Sequence, residues 1–288
     1  MASDPASNGV ISASEAAALL QKTGYSVQEL MLCLAANFAV NYSHPVISGF
    51  RVGAVAEGIV PSGAQIGALY YGANMEFVGE ALTFTVHAEQ SATVNAWQNG
   101  ETGLASLAVN AVPCGYCRQF LYETSTAQNQ AGPGLTIYLD NQAPQNLTAL
   151  LPQAFGPRDI PVYDALMNPE AHGLALQKGT KNPDATVLEA LAAANASYAP
   201  YSSGFAGVAV ETQSGQVYTG RYAENAAFNP SISPLESALI MWNFGCDGAD
   251  APTRCVLVEK MSRSNQLDVT EALAGAFAEL PVEFWLAS

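Results

Sequence analysis

The chain carries two stretches of similar sequence, and this repetition constrains its fold more than any other feature. Residues 48–55 (SGFRVGAV) resemble residues 203–210 (SGFAGVAV), and each stretch follows a segment with the apolar spacing of a helix. Further along, residues 70–77 (YYGANMEF) match residues 221–228 (RYAENAAF). A length of 288 residues is enough for two domains of moderate size. We therefore expect two copies of one α/β unit.

Capping signals and turn residues suggest where these units begin and end. Ser12 and Glu15 have the spacing of a capping box, as do Ser26 and Glu29, so a helix is expected after each serine. Pro, Gly and Asn interrupt residues 159–185, which is typical of a linker. We predict an N-terminal helical segment over residues 1–25, a first domain over 26–158, the linker over 159–185 and a second domain over 186–288.

The two copies are not chemically equivalent. When the two copies are aligned by sequence, His87 matches Pro234, Glu76 matches Ala227 and Phe50 matches Phe205. No cysteine occurs over residues 258–262, where the Pro-Cys-x-x-Cys sequence of the first copy is expected to recur. The second copy is therefore predicted to keep the fold without the chemistry.

The first copy contains the residues of a metal site. His87 and Glu89 lie close together in the sequence, and Cys114 and Cys117 follow Pro113 with the spacing Cys-x-x-Cys. One imidazole and two thiolates make three zinc ligands. Structural zinc sites fill all four positions with protein atoms, whereas catalytic sites keep one open for water. The pattern indicates a catalytic zinc at His87, Cys114 and Cys117.

The carboxylate of Glu89 completes this chemistry. Both ligand segments are expected to open helices, whose N-termini favour negative charge and therefore thiolates. Zinc lowers the pKa of a bound water towards neutrality, and a carboxylate beside it can move the protons of a hydrolysis. We interpret Glu89 as this acid and base, and the pattern favours hydrolytic deamination of an amidine-like carbon.

Composition excludes several other functions. The chain has 10 basic and 25 acidic residues, a net charge of −15, and no visible basic cluster, which argues against a nucleic-acid polymer as partner. No apolar run is long enough for a transmembrane helix, so no membrane partner is expected. Five cysteines and no secretory leader argue against a disulfide framework. The expected location is the cytoplasm, where the thiols stay reduced.

The order His-x-Glu followed by Pro-Cys-x-x-Cys is the signature of the zinc nucleobase deaminases. Residues 48–54, 72–76, 87–92, 113–119 and 151–157 resemble blocks of the cytidine deaminase family, in family order. The resemblance covers nearly the whole chain and is closest to the two-core, homodimeric type. Other members often have Cys as the first ligand and Arg after the Glu, where this chain has His87 and Gln90.

The resemblance implies a duplicated three-layer α/β/α core, a homodimer, and conversion of cytidine and 2′-deoxycytidine to the uridines in pyrimidine salvage. It also implies that zinc-bound hydroxide attacks C4 while Glu89 shuttles protons. Further roles follow for residues matching the family blocks. Asn74 and Glu76 would bind the ribose 3′-hydroxyl, and Phe50 would pack on the pyrimidine. The backbone at Ala88 and near Pro113 would contact the base edge, and Phe155 would reach a neighbouring subunit's site.

Three alternatives stay open at the level of sequence. The substrate could be another free base or nucleoside, although Glu76 favours a ribose. The metal could instead stabilise a scaffold without activity, in which case Cys33, Cys246 or Cys255 would supply a fourth ligand. Phe50 could be an ordinary core aromatic, since Phe205 recurs in the second copy.

Overall fold

The computed structural model describes residues 3–124, 134–177, 182–246 and 250–288. The chain forms two compact units. Unit 1 comprises Met1–Glu76, Thr85–Asn168 and Asn225–Pro230, and unit 2 comprises Phe77–Phe84, Pro169–Glu224 and Ser231–Ser288. The N-terminal segment therefore groups with the first unit, and part of the predicted linker lies outside the described residues. Within the described ranges, no helix has the length and apolar character needed to cross a membrane.

Unit 1 is built on a six-stranded mixed sheet with the strand order β1-β3-β2-β4-β5-β6. Among the strand pairings in the described part of unit 1, only that of β4 with β5 is parallel. Its strands are β1 (Val10–Ile11), β2 (Gly53–Gly58), β3 (Leu69–Ala73), β4 (Leu104–Val109), β5 (Thr136–Tyr138) and β6 (Gln145–Asn146). The central strands β2 and β3 are buried along their whole length, which explains their apolar composition.

The helices of unit 1 begin where capping residues predict them. Ser12 and Ser26 both close capping boxes, and Gly24 ends the first helix with a left-handed backbone, so these predictions are confirmed. The helices are α1 (Ala13–Thr23), α2 (Val27–Asn37), α3 (Ala88–Gln98), α4 (Gly115–Leu121) and α5 (Leu147–Leu150). Short 3₁₀ turns cover Ala39–Tyr42 and Pro157–Asp159.

Two glycines show that the sheet of unit 1 is covered on both faces. A Cβ on Gly53 would lie 2.3 Å from the Ala35 carbonyl of α2, and one on Gly72 would lie 2.1 Å from the Ala88 carbonyl of α3. Gly72 pairs with Ala54, the neighbour of Gly53, so the two glycines face opposite sides of the sheet. Helix, sheet and helix therefore form the predicted three layers.

Unit 2 repeats this architecture with a four-stranded sheet in the order β10-β9-β7-β8. Gly207 approaches the first of its helices and Gly220 the second, again from opposite faces. Its elements are α6 (Ala185–Asn195), β7 (Ala206–Thr212), β8 (Val217–Arg221), α7 (Pro234–Gly245), β9 (Pro252–Lys260), α8 (Leu267–Ala278) and β10 (Val282–Ala287), with a 3₁₀ turn over Leu82–Phe84. The expected duplication of the fold is confirmed.

The contacts of the glycines also show how the two copies correspond along the chain. Gly72 lies against the carbonyl of the first residue of α3, and Gly220 lies against the carbonyl of Pro234, the first residue of α7. The residue that precedes α7 is Ser233, and it therefore takes the place of His87. The predicted alignment of His87 with Pro234 is wrong.

The alignment of the carboxylates also changes. Met75 and Ala223 are each bridged to two neighbouring segments, one parallel and one antiparallel. Glu76 therefore corresponds to Glu224, and its predicted alignment with Ala227 is wrong. An asparagine near each carboxylate favoured the shifted alignment in the sequence, whereas the backbone pairing decides the true one.

The match of Phe50 with Phe205 is wrong for a similar reason. The N–H of Phe50 donates to Ser48 Oγ at 3.0 Å, and the N–H of Gly204 donates to Ser202 Oγ at 2.9 Å. Gly204 is therefore the equivalent of Phe50. Two consecutive serines in the second copy left the alignment ambiguous in the sequence. Strand β2 begins only at Gly53, so Phe50 lies in the loop that precedes it.

The buried Glu236 of α7 offers a test of how charge affects the stability of unit 2. Its Oε2 accepts from the Ser233 N–H at 2.7 Å, and burial raises its pKa from 4.5 to about 7 against the effect of the Ser233 hydrogen bonds. The equivalent residue of unit 1 is Gln90, which accepts from the His87 N–H at 3.2 Å. A neutral amide can therefore occupy this position.

We predict that Glu236→Gln raises the free energy of unfolding at pH 8 by on the order of 1–3 kcal/mol and changes it little at pH 5. Because the folded-state pKa is raised, the wild-type carboxyl is protonated at low pH, and its stabilising effect is lost as pH rises through about 7. Urea denaturation at both pH values measures this. In the control Glu15→Gln, an exposed capping carboxylate with a lowered pKa is removed, so stability at pH 8 should fall. A destabilised Glu236→Gln variant at pH 8 would contradict the prediction.

Candidate active site

Two helix N-termini bring the predicted metal ligands together. His87 is the N-cap residue of α3, Cys114 is the N-cap residue of α4, and Cys117 lies in the first turn of α4. The Cys114 Sγ lies 3.6 Å from His87 Nδ1 and 3.6 Å from Cys117 Sγ. All three ligand atoms lie within 4.8 Å of one another. Residues far apart in the sequence thus converge as the motif predicted.

The electrostatics of the cluster favour a thiolate. Hydrogen bonds from Cys117 and His87 lower the pKa of Cys114 to about 3. The hydrogen bond to Cys114 and burial raise the pKa of Cys117. An imidazole nitrogen and two sulfurs form a donor set that suits Zn²⁺.

Among the residues that the structure describes, the cluster has three protein ligands and no fourth. Within the described ranges, the only group of three or more potential ligands is His87, Cys114 and Cys117. Cys33 lies in α2 beside Asn37, whose Nδ2 is 3.7 Å from its Sγ, and lines a different groove. This arrangement matches a zinc site with an open position and weakens the scaffold alternative.

Glu89 is buried next to this cluster. It lies in the first turn of α3 and is 4% exposed. Burial raises its pKa above 4.5, although a hydrogen bond with Cys117 and the charge of His87 act in the opposite direction. A carboxyl with a raised pKa is easier to protonate than a free one, which suits a group that takes up and returns protons in general acid–base catalysis.

A cavity of about 290 Å³ opens in front of Glu89. Its volume suits a small molecule. The lining contains four predicted site residues, Phe50, Asn74, Glu76 and Ala88, besides the ligands His87 and Cys114. It is formed by Ser48, Phe50, Val52, Asn74, Glu76, Thr85, His87, Ala88, Glu89, Ala111, Val112 and Cys114. The residues near Pro113 that reach the cavity are Ala111 and Val112.

Phe50 is not a core residue. Its side chain is 62% exposed and lines the cavity, and the equivalent residue of unit 2 is Gly204. An aromatic ring that the fold does not need, placed at the mouth of a cavity, is a candidate surface for stacking a planar ligand.

Glu76 is held by a cradle of three donors. Its Oε2 accepts from the N–H groups of Ile47 (2.7 Å) and Ser48 (2.8 Å), and its Oε1 accepts from Ser48 Oγ (2.5 Å). Burial alone would raise its pKa, but these hydrogen bonds outweigh burial and lower it. A fixed, ionised carboxylate therefore faces the cavity. Ser48 lies in the family block of residues 48–54, but the sequence alone predicted no role for it.

Unit 2 contains an equivalent cradle, in which the carboxylate is buried. Glu224 accepts from the N–H groups of Tyr201 (2.8 Å) and Ser202 (3.1 Å) and from the Ser202 hydroxyl. It is only 4% exposed. The hydroxyl of Ser264 donates to Ser202 Oγ at 2.9 Å and lies 2.3 Å from where a Cβ on Gly204 would stand. Side chains thus fill the space in unit 2 that corresponds to the cavity mouth of unit 1.

Asn74 already has hydrogen-bond partners within the fold. Its Oδ1 accepts from Ser43 Oγ at 2.5 Å and from the Val52 N–H at 2.9 Å, and its Nδ2 donates to the Phe50 carbonyl at 3.0 Å. The side chain is nearly buried, at 7% exposure. Asn74 therefore positions the loop that carries Phe50, in addition to lining the cavity.

Phe155 lies outside this cavity. Its side chain is 46% exposed, and its carbonyl accepts from Gln119 Nε2 at 2.8 Å. Phe155 does not line the cavity in the single chain. Its predicted role in a neighbouring subunit's site stays a prediction.

Comparisons with known proteins agree with this geometry. Residues 26–132 and residues 147–271 each match a family model described as the cytidine and deoxycytidylate deaminase zinc-binding region. Both copies of the fold therefore carry recognisable family sequence, although only the first has the ligands.

Curated relatives match over most of the chain. Cytidine deaminases of Photorhabdus laumondii and Serratia proteamaculans are each 43% identical over 93% of this chain and 86% of their own length. That of Vibrio vulnificus is 47% identical over 77% of this chain and 70% of its own length. A crystal structure of the Mycobacterium tuberculosis cytidine deaminase is 28% identical over 45% of this chain and 98% of its own length, with a TM-score of 0.35.

We predict that Asn74→Ala lowers the free energy of unfolding by about 2–4 kcal/mol, because buried donors and an acceptor lose their partner. Urea denaturation of the zinc-loaded protein measures the loss. The control is Asn99→Ala, at the exposed end of α3, where the side chain bonds only within the helix. It should cost less than about 1 kcal/mol. Equal losses for the two variants would contradict a special role of Asn74 in the fold.

Proposed function

Because the chain belongs to the cytidine deaminase family, whose members depend on zinc, we propose that the cavity of unit 1 binds cytidine and 2′-deoxycytidine and hydrolyses them to uridine, 2′-deoxyuridine and ammonia. The observation that carries this proposal is the buried Glu89 beside a three-ligand cluster at the base of a nucleoside-sized cavity. A water molecule is consumed, and the exocyclic amine leaves as ammonia.

His87, Cys114 and Cys117 would hold the zinc ion. When bound, zinc supplies the Lewis acidity that makes water a nucleophile at neutral pH. The helix N-termini that carry the ligands favour the thiolate charge through their N–H groups and dipoles. Family members with three cysteine ligands have one more thiolate than this site. The site therefore needs less compensating positive charge near its ligands.

We expect Glu89 to move the protons of the reaction. Its carboxylate would accept a proton from the attacking water and deliver it to N3 of the pyrimidine. It would then take the proton of the new C4 hydroxyl and pass it to the leaving amine. Its burial supports this role, because a raised pKa reduces the cost of the protonated form between these steps.

The cavity mouth supports recognition of a nucleoside. The ionised Glu76 would accept from the ribose 3′-hydroxyl, and Asn74, which also lines the cavity, would add to this contact. Phe50 would stack on the pyrimidine, while the backbone at Ala88 would bind the base edge. The lining contains no Lys or Arg, so a phosphate would find no counter-charge there. This argues against nucleotides as substrates.

The proposal also covers how the chains assemble and where the protein is located. We expect a homodimer in which Phe155, 46% exposed in the single chain, reaches the site of the neighbouring subunit. The described cysteines are all free, which suits a reducing cytoplasm. Production of uridine from free nucleosides would place the enzyme in pyrimidine salvage.

The role of Glu89 is tested by Glu89→Gln. We predict that this variant loses cytidine turnover by a factor of about 10⁴ or more, since proton transfer and electrostatic support both disappear. It should keep one equivalent of zinc by metal analysis, because Glu89 is not a ligand. The control is Glu271→Gln, an exposed carboxylate in α8 that should turn over cytidine normally. Normal ammonia release by Glu89→Gln would refute the mechanism.

The role of Glu76 is tested against its counterpart in unit 2. We predict that Glu76→Gln lowers kcat/KM for cytidine by about 10–100-fold, because a charged hydrogen bond to the ribose is lost. Glu224→Gln changes the equivalent cradle of unit 2, where the carboxylate is buried and serine side chains fill the space beside it, and should leave kcat/KM unchanged. Steady-state kinetics with cytidine, cytosine, dCMP and adenosine complete the test. A preference for cytosine, dCMP or adenosine over cytidine would replace this function with another deaminase activity.

A further inference from the structure

A short segment of the second repeat, Asn225–Pro230, belongs to unit 1 by its contacts. We call this segment the strap. It leaves unit 2 after Glu224 and returns at Ser231, before α7 begins. Neither the zinc ligands nor the cavity lining include it. It nevertheless accepts hydrogen bonds from two residues that each contact His87.

The first of these residues is Tyr116. The ring of Tyr116 stacks on the His87 imidazole, with centroids 5.4 Å apart and an angle of 28° between the planes. Its hydroxyl donates to the carbonyl of Asn229 in the strap at 2.6 Å. The strap thus fixes a ring that lies flat against the imidazole of a metal ligand.

The second of these residues is Gln90. Its Oε1 accepts from the His87 N–H at 3.2 Å, and its Nε2 donates to the carbonyl of Pro230 at 3.2 Å. The side chain is fully buried. The strap therefore holds the backbone of His87 through Gln90 and its ring through Tyr116, using two consecutive carbonyls.

The strap is itself anchored to unit 1. Asn225 Nδ2 donates to the Gln119 carbonyl at 3.0 Å, and the Ala226 N–H donates to Glu123 Oε2 at 3.0 Å. Gln119 lies in the last turn of α4, and Glu123 lies just beyond its end. The strap therefore contacts α4 as well as Gln90 in the first turn of α3.

The second unit provides an internal comparison. The residue equivalent to Gln90 is Glu236, which closes the capping box with Ser233 but has no amide donor. The cap of the helix therefore requires only an acceptor at this position. The donor of Gln90 is used for the strap, in the unit where the capping residue is also a metal ligand.

We propose that the strap is a positioning device for the zinc ligand His87, acting through Tyr116 and Gln90. The proposal rests on the zinc deaminase function argued above. A ligand imidazole held from its ring face and from its backbone has less freedom to turn away from the metal. Loss of such outer contacts typically lowers metal affinity or activity by 10–100-fold. In this way the second repeat, which has no ligands, contributes to the metal site of the first.

Zinc release from the full-length, zinc-loaded protein tests the proposal without any substrate. Tyr116→Phe keeps the stacked ring and removes only the bond to the strap, while Asn225→Ala loosens the strap without touching His87 or its neighbours. We expect each variant to release zinc to a coloured chelator about 10-fold faster than wild type. The control Tyr70→Phe removes a tyrosine hydroxyl bond of 2.9 Å to Glu101, which lies beyond the C-terminal end of α3, and should release zinc at the wild-type rate.

The double variant Tyr116→Phe/Asn225→Ala tests whether the two substitutions act through the strap or through a general loss of protein stability. If both act through the strap, its release rate should be close to that of the faster single variant, and the Co²⁺-substituted protein should show a shifted absorption spectrum. Wild-type release rates in both single variants, or equal acceleration in Tyr70→Phe, would overturn the proposal. A protein that binds zinc but does not deaminate cytidine would refute the proposed function and leave the strap measurement intact.

Discussion

The close approach of helix α3 to the sheet is the constraint on which the site depends. Gly72 has no side chain, so the start of α3 can rest on β3 with the Ala88 carbonyl 2.1 Å from where a Cβ would stand. This contact places His87 at the helix N-cap and Glu89 in the first turn. The N-terminus of α4, which follows β4 in the chain, meets the start of α3, and three ligand atoms converge there.

The chemistry follows from what surrounds those helix starts. Burial raises the pKa of Glu89, while exposed backbone donors keep Glu76 ionised at the cavity mouth. Two carboxylates in one site thus receive opposite properties from their environments, one suited to moving protons and one to accepting from a hydroxyl. The second unit keeps the cradle around Glu224 but fills the space beside it, which shows that the cradle belongs to the fold and the cavity to the function.

Much of the site could be predicted because its residues are local in sequence. His87 with Glu89, and Cys114 with Cys117, carry their spacing in the chain, and capping patterns place both pairs at helix starts. The correspondence between the two repeats could not be predicted in the same way. Ser202 and its neighbour, or the asparagines near Glu76 and Glu224, match equally well in shifted alignments, and only strand pairing distinguishes them.

By itself, the sequence determined the His-Cys-Cys cluster, the carboxylate beside it, the duplication and the helix caps, because each depends on residue type and short spacing. The tertiary structure decided the features that depend on long-range contacts. It placed Phe50 at a cavity and not in the core, gave Asn74 a structural role in holding that loop, and brought Asn225–Pro230 to unit 1. Such contacts join segments far apart in the chain, and no local pattern records them.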